Sequence, residues 1–224
     1  MIIQAPLNRG FMRAKYKHRS IHDIVAVIIH TTGAGIIRRW QRQGEKFGES
    51  DPFDTALRVY HKLMDAGPHF VIGQAGQVAQ TCPLDFAAWH VGKKDSRPYW
   101  LKNTVPGHKW WHDRWGHSFK SPAEMADGLL WAGGECNPNV VGIEVVPEID
   151  DPRGVKYAWR QPAYDAIRKL CNALAEECRG LQLRPDTVIG HADAHPLSRT
   201  ARGAPWDPTP LQWSPEIVKV MFLQ

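Results

Sequence analysis

Cysteine is scarce in this 224-residue chain, and none of it is closely paired: Cys82, Cys136, Cys171 and Cys178 form neither a CxxC nor a zinc-ribbon spacing. Cys171 and Cys178 fall on one face of a helical pattern but about 10 Å apart along its axis, too far for a disulfide. Buried free thiols and a reducing compartment are expected. No apolar run approaches the length of a membrane span. The opening MIIQAPLNRGFMRAKYKHRS has a three-residue apolar start and lacks the apolar core of a signal peptide. A protein made in the cytoplasm, with no stable membrane association, is the expectation. Charge of one sign is also in short supply. Lys and Arg number 28 against 23 Asp and Glu, a net charge of +5, without a dense basic run or an aromatic-basic RNA-binding signature. That balance speaks against nucleic acid as the partner and leaves an anionic surface or polysaccharide open. Internal repeats and low-complexity tracts are absent, and 43% hydrophobic content is enough for one full core.

The patterned segments alternate between strand and helix. VAVIIH (25–30) is a β-branched run ahead of the turn-prone TTGAG, and it reads as a buried strand ending in His30. DPFDTALRVYHKLMDAG (51–67) places Phe53, Leu57, Tyr60 and Met64 at helical steps, with Asp51 as cap and Gly67 as stop. HFVIGQAGQVAQ (69–80) reads as a hairpin around a glycine turn. WRQPAYDAIRKLCNALAEECRG (159–180) is an amphipathic helix with Tyr164, Ile167, Leu170, Cys171, Leu174 and Cys178 on one face, and TVIGH (187–191) is a short strand ending in His191. Between Lys93 and Asn139 periodicity fades into a Trp-, His-, Gly- and Pro-rich stretch holding Trp100, Trp110, Trp111, Trp115 and Trp131. It reads as an insertion, either a lid or a subdomain, whose tryptophans line a groove or form a local core.

Chemistry is suggested at three places. NVVGIEVVP (139–147) reads as a central strand with one anomaly, Glu144; a carboxylate among apolar neighbours costs several kcal/mol unless paired, protonated or used. His30 and His191 both end strands, where open α/β sheets place their chemistry. TVIGHADAHPLSRTARGAPWDP (187–208) then crowds His191, Asp193, His195 and Asp207 together. Two histidines and a carboxylate with one position left open make a catalytic zinc site, although spacing alone is weak support.

Taken in order, VIIHTTG, HFVIGQAGQV, AAWHVG, VVGIEVV and IGHADAHP followed by WDP resemble the motifs of the zinc-dependent N-acetylmuramoyl-L-alanine amidases, whose fold is shared with the peptidoglycan recognition proteins. The resemblance runs from about Val25 to Pro208. It implies one α/β domain over 1–224, with a core at about 20–210, an insertion at about 93–139 and a central mixed sheet flanked by helices. It also implies Zn2+ held by His30, His191 and Asp207, peptidoglycan as substrate, and hydrolysis of the amide joining N-acetylmuramic acid to L-alanine. Glu144 matches the strand glutamate that takes a proton from the attacking water and can return it to the leaving amine. Asp193 becomes a structural acid. His195 is the rival third ligand, since its spacing from His191 would chelate only on a helix, which Pro196 opposes.

His90 matches a histidine near the family's cleft, with a substrate-binding or ligand-orienting role, and His69 reads as a hydrogen-bonded core residue. His108, His112 and His117, among the tryptophans, fit no standard metal spacing. The sequence departs from the family at two positions. Pro205 stands where a lysine often steadies the oxyanion, and Arg202 or, failing that, Arg199 is the substitute within a longer loop. Pro68 replaces the tyrosine that some members carry before the HF pair, which leaves the proton work to glutamate. A monomeric cell-wall-lysing endolysin, let out by a holin, is the expected biology. A muropeptide-recycling amidase and a non-catalytic peptidoglycan-binding module are the alternatives.

Overall fold

The computed structural model describes residues 2–5, 17–32, 51–62, 67–90, 137–148, 156–185, 187–191, 207–209 and 211–223. Its six-stranded sheet runs, edge to edge, through β1 (Ile2–Gln4), β5 (Val78–Gln80), β4 (Phe70–Ile72), β7 (Val140–Val145), β3 (Ala26–Thr31) and β8 (Val188–Gly190). Neighbours from β4 to β8 are parallel; β5 returns antiparallel to β4 and carries β1 parallel to itself. The sheet is therefore mixed, with its two longest apolar strands, β3 and β7, side by side. Gly76, at φ +81°, turns the β4–β5 hairpin in a conformation that side chains disfavour. A separate antiparallel pair joins β2 (Lys17–His18) to β6 (Phe86–Ala87).

Both faces of the sheet are covered, which is why β3 and β7 read as continuous apolar runs. Alternation sends Val27, Ile29, Val141, Ile143 and Val145 to one face. There they meet α2 (Gln161–Glu177), through Ile167, Leu170, Cys171 and Leu174, and α3 (Pro215–Phe222), through Val218. Full burial of a side chain such as Ile167 contributes about 1.5–3 kcal/mol. Since no side chain caps the N-terminus of α2, packing rather than capping holds this helix. On the other face, Val71, Ala79 and Val146 lie beneath α1 (Pro52–Lys62), which contributes Phe53, Ala56, Val59 and Tyr60. Asp51 caps α1 by accepting a hydrogen bond from the Phe53 N–H at 2.9 Å.

Cys82, Cys171 and Cys178 are buried free thiols, as their spacing predicts. Burial pushes the thiols of Cys82 and Cys171 up to about 12, so neither supplies a thiolate near neutral pH. Cys136 lies outside the described residues, as does the Trp-rich segment apart from the 3-10 turn Asn137–Asn139 that enters β7. Among the described residues no helix is long and apolar enough to cross a membrane.

Candidate active site

The site grows out of the register of the sheet. His30 of β3 is the partner of Glu144 in β7, and Glu144 is the partner of Val71 in β4. Partners in parallel strands share a face, so Val71, Glu144 and His30 form a row beneath α1. On the outer side of β3, Gly190 pairs with Ile29. His191, the next residue, thus stands beside His30, and the two rings are centred 4.4 Å apart. Both imidazoles are buried, whereas Glu144 is half-buried.

Asp207 closes this row from a distant part of the chain, just before a cis bond to Pro208. Its Oδ1 accepts the Thr31 N–H at 2.6 Å, while its Oδ2 lies 3.0 Å from Nδ1 of His191 and 3.7 Å from Nδ1 of His30. Burial pushes this carboxyl up, but the hydrogen bonds to His191 and His30 and their charge outweigh it and hold the group well below the usual carboxylate range.

His30 is steadied from behind. Its Nε2 lies 2.9 Å from Nδ1 of His90, which leaves Nδ1 directed toward Asp207. Burial, followed by the charges of His30 and His69, pushes the His90 imidazole well below its ordinary value, so it is neutral. His90 in turn rests on the bare backbone of Gly142, where an added Cβ would sit 2.5 Å from the His90 ring. Gly142→Ala should therefore displace His90, lowering stability by about 1–3 kcal/mol and reducing turnover through the loosened His30. Parallel urea titration and amide-release assays would test this, and an unchanged midpoint would count against it.

His69 is a core histidine, as the sequence suggests. It is fully buried, its Nδ1 accepts the Gly142 N–H at 3.0 Å, and its Nε2 lies 2.9 Å from the Phe86 carbonyl. Burial and then the charge of Arg19 push it well below its ordinary value. A folded-state value depressed below the unfolded one, near 6.5, means that the unfolded chain binds more protons in acid. Stability should be complete above about pH 6.5 and fall below it, by up to about 1.4 kcal/mol per pH unit for this group. Denaturant midpoints measured between about pH 7.5 and pH 5 would show the slope, and a flat profile would refute it.

Tyr60 is a participant that sequence reasoning assigned to the apolar face of α1. Burial, then the charge of Glu144 and the hydrogen bond to it, hold its phenol well above the usual range. The available signal was the phenol itself: a buried tyrosine hydroxyl needs a polar partner that Phe53 and Leu57 cannot supply. Asp193, His195, Arg199, Arg202 and Pro205 lie outside the described residues, as do His108, His112 and His117.

The donor set is able to hold a metal ion. His30, His191 and Asp207 are all buried, and one donor atom from each lies within 4.8 Å of the others. Ligands about 2 Å from a common zinc ion stand roughly 3–4 Å apart, and the two distances from Asp207 Oδ2 span that range. Two imidazoles with one carboxylate match a catalytic zinc site in donor number and type.

Comparison with known proteins agrees with this architecture. The family model described as N-acetylmuramoyl-L-alanine amidase (Amidase_2) matches residues 21–210. No curated protein sequence matches the chain. Among solved structures, PlyL aligns with a TM-score of 0.51 at 9% identity, over 99% of this chain and 97% of that one. A selenomethionine AmpD derivative gives 0.50 at 14% identity, over 99% and 94%. A mutant endolysin from Bacillus subtilis gives 0.50 at 14%, over 90% and 93%. At such identities the solved structures speak for the fold, whereas the family match covers most of the chain: the protein belongs to the N-acetylmuramoyl-L-alanine amidase family, enzymes that hydrolyse an amide of peptidoglycan.

Proposed function

We propose that the protein is a zinc-dependent N-acetylmuramoyl-L-alanine amidase that lyses cell walls as a monomer, the whole chain forming one amidase domain with a core at about 20–210. The observation that carries this reading is the convergence of His30, His191 and Asp207 beside the half-buried Glu144. When bound there, zinc polarises the scissile carbonyl and makes water acidic enough to act near neutral pH. Glu144 takes the proton of the attacking water and returns it to the leaving amine of L-alanine. His90 orients His30, fixing which ring nitrogen faces Asp207. Arg202, or Arg199 in its place, carries the positive charge at the developing oxyanion that lysine supplies in relatives.

The lytic role rests on the +5 net charge, suited to an anionic wall. In that role the protein is synthesised in the cytoplasm and reaches the wall through holin-type release. The deciding experiment measures zinc content together with amine release from purified sacculi and from small anhydromuropeptides. Stoichiometric zinc with cleavage of sacculi is expected. Cleavage confined to the small substrate would replace lysis by recycling, and a zinc-free protein that releases no amine would end the enzymatic reading.

A further inference from the structure

Just past Asp207 the chain is tied down by one dipeptide, Gln212–Trp213, that the amidase chemistry outlined above does not use. Every polar group of Thr209, the second residue after Asp207, is bonded to it. The Thr209 N–H and hydroxyl donate to Oε1 of Gln212 at 3.0 and 3.2 Å, and its carbonyl accepts the N–H of Gln212 and that of Trp213, each at 2.9 Å. Gln212 is 1% exposed and uses the other end of its amide as well, Nε2 donating to the Tyr157 carbonyl at 2.9 Å. Its backbone carbonyl accepts the Tyr164 hydroxyl at 2.8 Å, which fixes the turn to α2. Trp213 is fully buried, and its indole N–H donates to the Val188 carbonyl at 3.1 Å, in the strand that His191 follows.

We propose that Gln212 is a positioning residue for the metal ligands, holding the backbone after Asp207 so that its carboxylate meets His191. The inference rests on the reading of His30, His191 and Asp207 as the zinc ligands. A primary amide is costly to bury unless its donor and its acceptor are both bonded, and in Gln212 both are. What separates this glutamine from an ordinary turn residue is where its bonds lead. Its side chain grips Thr209, next but one to Asp207, while its neighbour Trp213 grips β8, just ahead of His191. Two ligands 16 residues apart in the chain thus share one anchor, and their side chains meet at 3.0 Å. A donor set held in this way needs little ordering when the ion arrives. Gln212 touches neither metal nor substrate in this role; it acts through Thr209 and Asp207.

The test measures the zinc Kd of the full chain by chelator competition, beside the thermal midpoint of the metal-free protein. The proteins are wild type, Gln212→Met, Thr209→Val, Thr209→Ser and Ile167→Val. Methionine keeps the length of glutamine without its amide, and zinc should bind about tenfold more weakly, the lower end of what loss of a ligand-orienting partner costs. Thr209→Val removes only the hydroxyl bond and should weaken zinc by a smaller factor, whereas Thr209→Ser keeps that bond and should bind as wild type does. Ile167→Val truncates the core beneath α2, away from the turn; it should lower the midpoint and leave the zinc Kd unchanged. The inference is overturned if Gln212→Met binds zinc as tightly as wild type, or if Ile167→Val weakens zinc as much for the same loss of midpoint. Should Gln212→Met fail to fold, the Thr209 pair decides, and equal affinity in the two variants overturns the inference. A wild-type chain that takes up no zinc would instead remove the reading of the ligand set, and this inference with it.

Discussion

Glu144→Gln is expected to keep its fold and its metal and to lose 10²- to 10⁴-fold in kcat, the usual contribution of a positioned proton carrier. Glutamine has the same shape and fills the same place between His30 and Val71, so packing in the row is undisturbed. An amide has no basic site for the proton of water, and it cannot hand one to the leaving amine. Replacing a half-buried carboxylate by a neutral group removes a desolvation cost, and the thermal midpoint should hold or rise slightly. Zinc content, midpoint and kcat on one preparation check the three expectations together. Turnover that survives would move the proton work to another group.

Asp207→Ala should lose both metal and activity, and it should also cost stability. Its Oδ1 is the acceptor for the buried Thr31 N–H, and an orphaned buried donor costs about 1–3 kcal/mol. Its Oδ2 is the anionic member of the proposed ligand set and faces Nδ1 of both histidines. Asp207→Asn separates the two roles. The amide can keep the Thr31 bond, so stability should largely return, but the negative charge is gone and zinc should remain weakly bound. Zinc stoichiometry after dialysis against a weak chelator, read beside urea midpoints, distinguishes these outcomes. His195→Ala should leave both quantities near wild type. If Asp207→Ala kept its metal and His195→Ala lost it, the third ligand would be His195.

Much of this architecture is legible in the sequence because its main elements are local patterns. β3, β7 and α2 each declare themselves through unbroken β-branched runs or helical periodicity, and the structure places all three close to where those patterns put them. His30 and His191 are visible as strand-terminal residues, and Glu144 as the one carboxylate in an apolar run. Asp207 is different. Nothing local separates it from Asp193 or His195, since what defines it are contacts with Thr31 and His30, far upstream in the chain; only the family resemblance selected it. Arg19 escaped notice for a similar reason. It donates to the carbonyls of Leu84, Pro138 and Val140, three points on segments that no periodicity connects to residue 19. Tyr60 was visible but assigned to the core, because helical spacing reports which face a ring occupies and says nothing about where its hydroxyl ends.

The order of strands in the sheet also governs how the enzyme comes into being on the ribosome. β3 is made early and is flanked by β7 on one side and β8 on the other, and β8 is laid down only at residues 188–190. A growing chain can therefore pair β3 with β7 and bring His30 against Glu144 while the far edge of β3 remains open. In that interval β3, a long and fully buried strand in the finished sheet, presents unpaired backbone groups, the template on which one chain recruits another. His191 both follows the strand that seals this edge and adds the second imidazole, so closure of the edge and arrival of that ligand belong to one late event. A nascent amidase would pass from association-prone and inert to sealed only once β8 and His191 have joined β3.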